Sequence, residues 1–201
     1  MKNITVYIHG QGGNAAEAEH YKPLFKESDV VGFDYASRTP WEAKNEFPKY
    51  FEAITADFDK VTLIANSIGA FFAMSSLQTA KLDRALLISP IVDLEKLICD
   101  MMGWAGVTES ELRSRREIPT DFGETLSWEY LCYVRNNPIK WDVRTDILYG
   151  EHDNLTSLET VTAFADKTGA SLTVMKDGEH WFHTPEQLEF LDNWIKEKMR
   201  T

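Results

Sequence analysis

The chain has 201 residues, a length typical of a single domain of roughly 100–200 residues. Its 21 Lys and Arg residues against 32 Asp and Glu residues give a net charge of −11, which opposes binding to nucleic acid and to acidic membrane surfaces. A hydrophobic content of 43% argues against disorder, and no apolar run approaches the roughly 18 residues of a membrane span.

Short runs rich in β-forming residues recur along the chain, and several are apolar almost throughout, as in strands buried on both faces of a parallel sheet. Segments with helical patterns separate them, so right-handed βαβ units are expected. The chain is therefore predicted to be an α/β protein, a three-layer α/β/α sandwich around a mainly parallel six-stranded sheet. The predicted strands are Ile4–Ile8, Val30–Phe33, Val61–Ala65, Ala85–Ser89, Asp146–Tyr149 and Ser171–Met175.

Helix starts are marked by capping boxes, in which Ser or Thr stands three residues before Glu or Gln. The predicted boxes begin at Thr39, Thr108, Thr156 and Thr184. Pro48 is predicted to kink or split the helix that begins at Pro40, because proline lacks the N–H that a helix needs.

One interval breaks the alternation of strands and helices. Residues 91–142 show no strand pattern but contain helical stretches. An insertion of about fifty residues between adjacent strands is more often a functional lid than a connector. We therefore predict one domain, residues 1–201, with residues 91–142 inserted as a helical cap.

The sharpest chemical motif follows the third predicted strand, where Ser67 stands at a strand-to-helix junction in the sequence ANSIG (65–69). The small residues two before and two after Ser67 have the spacing of a nucleophile elbow, G-x-S-x-G, with Ala65 in place of the first glycine. Such a turn holds the serine hydroxyl above the sheet edge, at the N-terminus of a helix. The simpler alternative is a serine that only caps the helix.

The first predicted strand ends in the glycine-containing turn HGQGG (9–13). An oxyanion hole needs an N–H from such a loop, beside the N–H of the residue after the nucleophile. We expect the N–H groups of Gln11 and Ile68 to form it. A dinucleotide-binding loop is the competing interpretation, but the pattern G-x-G-x-x-G is not completed. His9 is expected to be structural.

A serine nucleophile needs a base, and the base needs an orienting carboxylate. His180 follows the last predicted strand and is the expected base, with His183, just before a helix, as its rival. Asp153 follows the fifth predicted strand and is the expected acid. Glu151 and Asp93 are the other candidates for the acid.

The order Ser67, Asp153, His180, each after a different strand, belongs to the α/β-hydrolase fold. With the 9–13 turn, this order makes the sequence resemble the α/β-hydrolase superfamily over almost the whole chain. The stretch GEHWF (178–182) is similar to catalytic-histidine loops in small bacterial members regarded as predicted hydrolases.

The resemblance implies a serine hydrolase, carboxylesterase-like, that cleaves an ester, thioester or related acyl bond of a small substrate through a Ser-His-Asp triad and an acyl-enzyme. A dehalogenase is disfavoured, because Ser67 is not a carboxylate nucleophile. The alternative from another class is a protein of this fold that binds or senses a small molecule with little or no turnover. No cofactor is expected, and no metal, since no cluster of Cys, His or carboxylates has metal-ligand spacing.

Aromatic residues are frequent in the predicted cap, and Trp128 and Tyr133 are assigned to substrate binding, in a small chamber that favours short acyl groups. The alternative is that these aromatics only pack the cap onto the domain. Arg113, Arg115 and Arg116 are expected to form a solvated helix face, with recognition of an anionic substrate as the minority interpretation.

Cys99 and Cys132 make no disulfide framework and are expected to be small apolar residues of the cap. The N-terminal sequence shows no signal-peptide pattern, so a cytoplasmic location is expected. The expected partner is a small-molecule acyl substrate, with neither nucleic acid nor membrane. The sequence does not predict an oligomeric state.

Overall fold

The computed structural model describes residues 1–200. The strands are β1 (Asn3–Ile8), β2 (Asp29–Phe33), β3 (Lys60–Asn66), β4 (Arg84–Ile88), β5 (Glu117–Pro119), β6 (Thr125–Ser127), β7 (Thr145–Gly150) and β8 (Ser171–Met175). The α-helices are α1 (Pro40–Thr55), α2 (Ser67–Ser76), α3 (Leu94–Trp104), α4 (Glu109–Arg115), α5 (Trp128–Asn136), α6 (Leu158–Thr168) and α7 (Pro185–Lys198). Two 3₁₀ helices, Ala15–His20 and Lys22–Leu24, lie between β1 and β2.

Contacts divide the chain into two units. The first, called here the sheet unit, comprises residues 1–92 and the segment from residue 140 onward. The second, the inserted unit, comprises residues 93–139. Within the described residues, no helix is both long and apolar enough to cross a bilayer.

The sheet unit contains a six-stranded sheet in the order β2-β1-β3-β4-β7-β8, and every neighbouring pair is parallel. The predicted six-stranded α/β sheet is confirmed. The strand order reverses at β1, which pairs with β2 on one side and with β3 on the other. At such a switch point the connections after the two central strands run to opposite sides and leave a crevice at the carboxyl edge. Because β1 and β3 are parallel neighbours, the turns that directly follow them lie side by side at this edge.

Burial on both faces explains the apolar strands, since every residue of β4 and β7 is buried. Tyr7 joins an apolar cluster with Leu191 and Trp194 of α7. Its neighbour Ile8 points to the opposite face, as alternation along a strand requires, and there it lies against Gly69 of α2. Helices thus cover both faces of the sheet.

The predicted helix starts agree with the structure in part. Thr39 and Thr108 form complete capping boxes. Thr184 also caps its helix, by accepting a hydrogen bond from the backbone N–H of Gln187. The prediction at Thr156 is wrong by one residue, because Ser157 is the N-cap of α6 and accepts a hydrogen bond from the N–H of Thr160.

Of the two outcomes predicted at Pro48, a kink or a split of the helix, the split is wrong. A single helix, α1, runs through Pro48. Phe47 and Phe51, on either side of the proline, are 0% and 2% exposed. Burial of these rings in both turns offsets the one backbone hydrogen bond that proline removes.

The inserted unit contains α3, α4, α5 and a two-stranded antiparallel hairpin of β5 and β6. Its three helices are joined by Arg135 of α5. The guanidinium donates to Glu95 of α3 at 2.6 Å and to both carboxylate oxygens of Glu109 in α4, at 2.8 and 2.9 Å.

The expectation that residues 91–142 contain no strand is wrong, because β5 and β6 lie within them. Each of these strands has only three residues, too few for the period-two alternation that identifies a strand in a sequence. The role of this segment as a cap stays a prediction.

Candidate active site

Ser67 lies at the carboxyl edge of the sheet, where β3 ends and α2 begins. Its φ is +48°, in the left-handed region that residues other than glycine rarely adopt. The turn is so tight that a Cβ on residue 69 would lie 2.2 Å from the carbonyl oxygen of His9. Glycine is therefore required two residues after Ser67. Two residues before it, Ala65 is fully buried, which explains why a small side chain stands there.

The structure brings Ser67, His180 and Asp153 together, although they come from three separate parts of the chain. Ser67 Oγ lies 2.8 Å from His180 Nε2, and His180 Nδ1 lies 2.7 Å from Asp153 Oδ2. The side chain of Asp153 is 0% exposed and that of His180 is 17% exposed. The carboxylate is thus shielded from water while the imidazole keeps an open edge.

The carboxylate of Asp153 is fixed by its own loop. Its Oδ1 accepts hydrogen bonds from the backbone N–H groups of Leu155 (2.8 Å) and Thr156 (3.0 Å), which leaves Oδ2 for His180. Below the loop, Tyr149 donates its hydroxyl to the carbonyl of Thr156 at 2.7 Å. Burial, and then the charge of Asp153, raises the pKa of Tyr149 to about 12, so the phenol stays protonated. The Asp153 carboxylate is therefore held by three hydrogen bonds, from Leu155, Thr156 and His180.

The loops that carry Asp153 and His180 are packed together. The N–H of His152 donates to the carbonyl of Gly178 at 2.7 Å. A Cβ on Gly150, the last residue of β7, would lie 2.4 Å from the carbonyl oxygen of Glu179. This close approach sets His180 beside Asp153.

The rival residues have other partners. His183 places Nδ1 2.7 Å from the carbonyl oxygen of Trp181 and stacks on the Trp181 ring at 4.4 Å. Glu151 accepts the N–H of Asp177 at 3.0 Å. Asp93 is the N-cap of α3 and accepts the N–H of the third residue of the helix, Lys96, at 2.9 Å.

His9 is packed against its neighbours, and its structural role stays a prediction. Its ring is stacked on Tyr35 with centroids 4.3 Å apart, and its Nδ1 lies 2.8 Å from the carbonyl oxygen of Gly10. Tyr35 also donates its hydroxyl to the carbonyl of His9 at 2.9 Å. The sequence carried no signal for Tyr35, because its contact with His9 forms only when β1 and β2 pair.

The turn after β1 lies directly against Ser67. A Cβ on Gly10 would be 3.1 Å from Ser67 Cβ. The turn is closed by a hydrogen bond from the N–H of Gly13 to the carbonyl of Gly10, at 3.2 Å. Gln11 lies within this turn, and Ile68 follows Ser67 in the first turn of α2. Their assignment to an oxyanion hole stays a prediction.

A polar contact beside Ser67 could not be read from the sequence. Asn66, the residue before Ser67, donates its side-chain N–H to the hydroxyl oxygen of Tyr7 at 3.0 Å, and Tyr7 donates to the carboxylate of Glu17. No local motif indicates this contact, since it joins residues from β1, β3 and a 3₁₀ helix.

The predicted substrate-binding residues lie on α5 of the inserted unit. The guanidinium of Arg113 lies over the Trp128 ring, 5.9 Å from its centroid. Tyr133 is half-buried, and this burial raises the pKa of its phenol. Arg113 therefore contacts an aromatic ring as well as solvent. Substrate binding by Trp128 and Tyr133 stays a prediction.

Glu151, His152 and Asp177 form an exposed group whose potential metal-ligating atoms lie within 4.8 Å of one another. The sequence showed no metal-ligand spacing here, because residue 177 reaches the other two only through the packing of two loops. Exposed acidic groups of this kind are common without an ion.

No protein-family model matches the sequence, and no curated protein matches it. Solved structures do match. Est1E from Butyrivibrio proteoclasticus is similar with a TM-score of 0.76 and 17% identity, over 99% of this chain and 87% of that one. Alpha/beta hydrolase domain-containing protein 10 from mouse has a TM-score of 0.77 and 13% identity, over 98% of this chain and 89% of that one. The chain has the α/β-hydrolase fold.

A thioesterase domain from the curacin biosynthetic pathway is also similar, with a TM-score of 0.61 and 15% identity over 96% of this chain and 91% of that one. The resemblance inferred from sequence motifs is thereby confirmed for the fold. In the α/β-hydrolase fold the nucleophile, the acid and the histidine follow one another along the chain. Ser67, Asp153 and His180 have this order.

Proposed function

We propose that this protein is a serine hydrolase that cleaves an ester, thioester or related acyl bond of a small substrate. One observation carries the proposal: His180 is hydrogen-bonded through Nε2 to Ser67 and through Nδ1 to the buried carboxylate of Asp153. A carboxylate that accepts the Nδ1–H leaves the Nε2 lone pair to accept the serine proton, which is what a general base requires.

In the acylation half-reaction, Ser67 Oγ attacks the carbonyl carbon of the substrate while His180 Nε2 takes the hydroxyl proton. Asp153 stabilises the resulting imidazolium and keeps it oriented. The tetrahedral intermediate then collapses, its bond to the alcohol or thiol breaks, and His180 returns the proton to that leaving group. The acyl group remains on Ser67 as an ester.

Deacylation repeats the same steps with water. His180 takes a proton from a water molecule, whose oxygen attacks the acyl-enzyme, and the proton returns to Ser67 Oγ as the acid leaves. In both halves the N–H groups of Gln11 and Ile68 are proposed to bind the oxyanion, a contribution of about 3 kcal/mol for one donor. This scheme needs neither a cofactor nor a metal.

Several other features support the proposal. The strained φ of Ser67 is the kind of backbone outlier that clusters at active sites. Among the similar structures are one called a thioesterase domain and one, Est1E, solved with ferulic acid bound.

Cys99 and Cys132 are free, as is usual in a reducing compartment, so we place the protein in the cytoplasm.

A fluorophosphonate probe tests the proposal, because it phosphonylates an activated serine. The native protein should be labelled in a 1:1 ratio and should turn over p-nitrophenyl acetate for many cycles, whereas Ser67→Ala should do neither. Ser75→Ala is the matched control, since Ser75 lies on the same helix with its hydroxyl bonded to the carbonyl of Phe72. Equal labelling of native protein and Ser67→Ala would contradict the proposal. Binding of ester without repeated turnover would favour a binding or sensing protein.

A further inference from the structure

A chain of polar contacts joins the nucleophile turn to the turn after β1. It begins at Asn66, whose side-chain N–H donates to Tyr7 Oη at 3.0 Å. Tyr7 in turn donates its hydroxyl hydrogen to Oε2 of Glu17. The second carboxylate oxygen of Glu17, Oε1, accepts the backbone N–H of Asn14 at 3.2 Å. One carboxylate therefore touches both turns, directly on one side and through Tyr7 on the other.

Helix capping accounts for only half of the Glu17 contacts. Asn14 and Glu17 form a capping box for the 3₁₀ helix Ala15–His20, in which Asn14 Oδ1 accepts the N–H of Ala16 at 2.9 Å. That box uses only Oε1 of the Glu17 carboxylate, so Oε2 has no role in capping. The structure uses Oε2 for Tyr7, so the carboxylate does more than cap a helix.

The Tyr7 hydroxyl is deep in the sheet unit, since the residue is 1% exposed. A buried hydroxyl without a partner is costly, and this one is paired with Glu17 and Asn66. Burial, together with Tyr21 and Glu17, raises the pKa of Tyr7 above its ordinary value. The phenol therefore keeps its hydrogen and donates it to Glu17.

The turn after β1 is held at both of its ends. At Gly10 it rests on Ser67, where an added Cβ would be 3.1 Å from Ser67 Cβ. At Gly13 it rests on Glu17, where an added Cβ would be 2.7 Å from Oε1. Gln11 lies between these two points, so the position of its N–H depends on both.

We propose that Glu17 is a positioning residue for the oxyanion site. Through Asn14 on one side, and Tyr7 with Asn66 on the other, it sets the turn that carries the Gln11 N–H against the turn that carries the Ile68 N–H. The inference rests on the proposed function, because it assumes that an oxyanion forms at Ser67. Glu17 does not touch the reacting atoms; it acts through the placement of a donor, and misplaced donors lose transition-state stabilisation.

Glu17→Gln tests the inference with little change of shape. In the amide, an NH₂ group replaces either Oε1 or Oε2, so the donor that this oxygen accepted from, Asn14 N–H or Tyr7 O–H, loses its acceptor. The matched control is Glu19→Gln, which neutralises an exposed carboxylate on the same 3₁₀ helix that pairs with Lys22. The measurements are kcat and KM for p-nitrophenyl acetate and the second-order rate of labelling by a fluorophosphonate, whose phosphoryl oxygen occupies the oxyanion site.

We expect Glu17→Gln to lower kcat and the labelling rate about 10-fold, less than the roughly 10²–10³-fold loss on removing an oxyanion donor itself. KM should change less than about two-fold, because the affected interaction is made in the transition state. Tyr7→Phe should have a similar effect. The double variant should also lose about 10-fold rather than about 100-fold, since both changes break one network. Glu19→Gln should equal the native protein.

The outcomes separate the inference from the function on which it rests. A native protein that neither turns over the ester nor reacts with the probe overturns both. A native protein that reacts at Ser67, with Glu17→Gln and Tyr7→Phe unchanged in kcat, overturns the positioning role alone. An effect seen only in KM also overturns it. So does a loss of kcat that is no larger than the fraction of the variant that urea denaturation shows to be unfolded under the assay conditions.

Discussion

Gly69 of α2 lies so close to His9 at the end of β1 that a Cβ on residue 69 would be 2.2 Å from the His9 carbonyl oxygen. The obstacle is a backbone atom of the residue that directly follows the buried strand β1, and it cannot move aside as a flexible side chain can. The nucleophile turn and the turn after β1 are therefore in backbone contact.

Gly69→Ala should be one of the most damaging single-methyl changes in the chain. We expect a loss of about 3 kcal/mol in the free energy of unfolding, at the upper end for overpacking, measured by urea denaturation. Gly103→Ala is the control, because an added Cβ there meets nothing within 4 Å and alanine favours a helix. Equal stability of the two variants would contradict the close approach.

His180→Ala should abolish ester turnover with little effect on folding. We expect kcat to fall by about 10⁴-fold or more, because the members of a triad act as one unit. His183→Ala should cost less than about 10-fold, since His183 is bound to the Trp181 carbonyl and not to Ser67. Turnover of p-nitrophenyl acetate measures both. The reverse ranking would make His183 the base.

Asp153→Asn should trap the wrong histidine tautomer. The asparagine oxygen can still accept from Leu155 and Thr156, which turns its NH₂ group toward His180 Nδ1. Nδ1 then becomes the acceptor and Nε2 carries the hydrogen, so the base cannot take the Ser67 proton.

The expected loss for Asp153→Asn is about 10⁴-fold in kcat, with the unfolding free energy nearly unchanged. Asp93→Asn is the matched control, since asparagine is as good an N-cap as aspartate and α3 should be unaffected. A variant Asp153→Asn that retained most of the native kcat would exclude Asp153 as the orienting acid.

Arg84→Met should destabilise the sheet unit independently of catalysis. Arg84 of β4 donates through Nε and Nη2 to Asp146 of β7 at 2.9 and 2.8 Å, and both side chains are 9% exposed. Removing the arginine leaves a buried carboxylate with a poorer set of partners, at a cost of about 3 kcal/mol.

The control for Arg84→Met is Lys96→Met, which breaks an exposed i,i+4 pair with Asp100 and should cost less than about 1 kcal/mol. Urea denaturation of both variants gives the comparison. Similar small losses would mean that the strand pairing, rather than the ion pair, carries the stability at this point.

Trp128→Ala tests the predicted substrate-binding role of α5. If Trp128 lines a small acyl chamber, the native protein should prefer short p-nitrophenyl esters, and the variant should shift the maximum of kcat/KM toward longer chains. A purely structural Trp128 should lower the urea midpoint and leave the chain-length profile unchanged. A steady rise from acetyl to long acyl chains in the native protein would contradict the closed chamber.

The sheet and the meeting of Ser67, Asp153 and His180 were predictable from sequence for the same physical reason. Strands buried on both faces are apolar runs, and the carboxyl ends of parallel strands share one edge. Any polar residue just after such a run is therefore brought near the others. The choice between His180 and His183 was harder, because both follow the same strand and only the packing of two loops separates them.

Features that depend on contacts between distant segments were not predictable. Glu17, Tyr7 and Asn66 each look ordinary in their local sequence, and their network exists only after β1, β3 and a 3₁₀ helix have packed. The strands β5 and β6 are too short to show a period. At the start of α6, Thr156 and Ser157 are adjacent and both suit an N-cap, so the sequence left the register open by one residue.

The pairing of β4 with β7 has a consequence for the segment between them. These strands are hydrogen-bonded neighbours, with Ala85 opposite Thr145 and Ile88 opposite Leu148, so the sheet itself fixes where the chain leaves β4 and where it enters β7. Closing a longer loop costs little, about 0.6 kcal/mol for each doubling of its length. Residues 93–139 can thus be exchanged, lengthened or rewritten while the strand register keeps Asp153 at its distance from Ser67. The length and sequence of this segment can therefore vary without a change in the positions of Ser67 and Asp153 on the sheet.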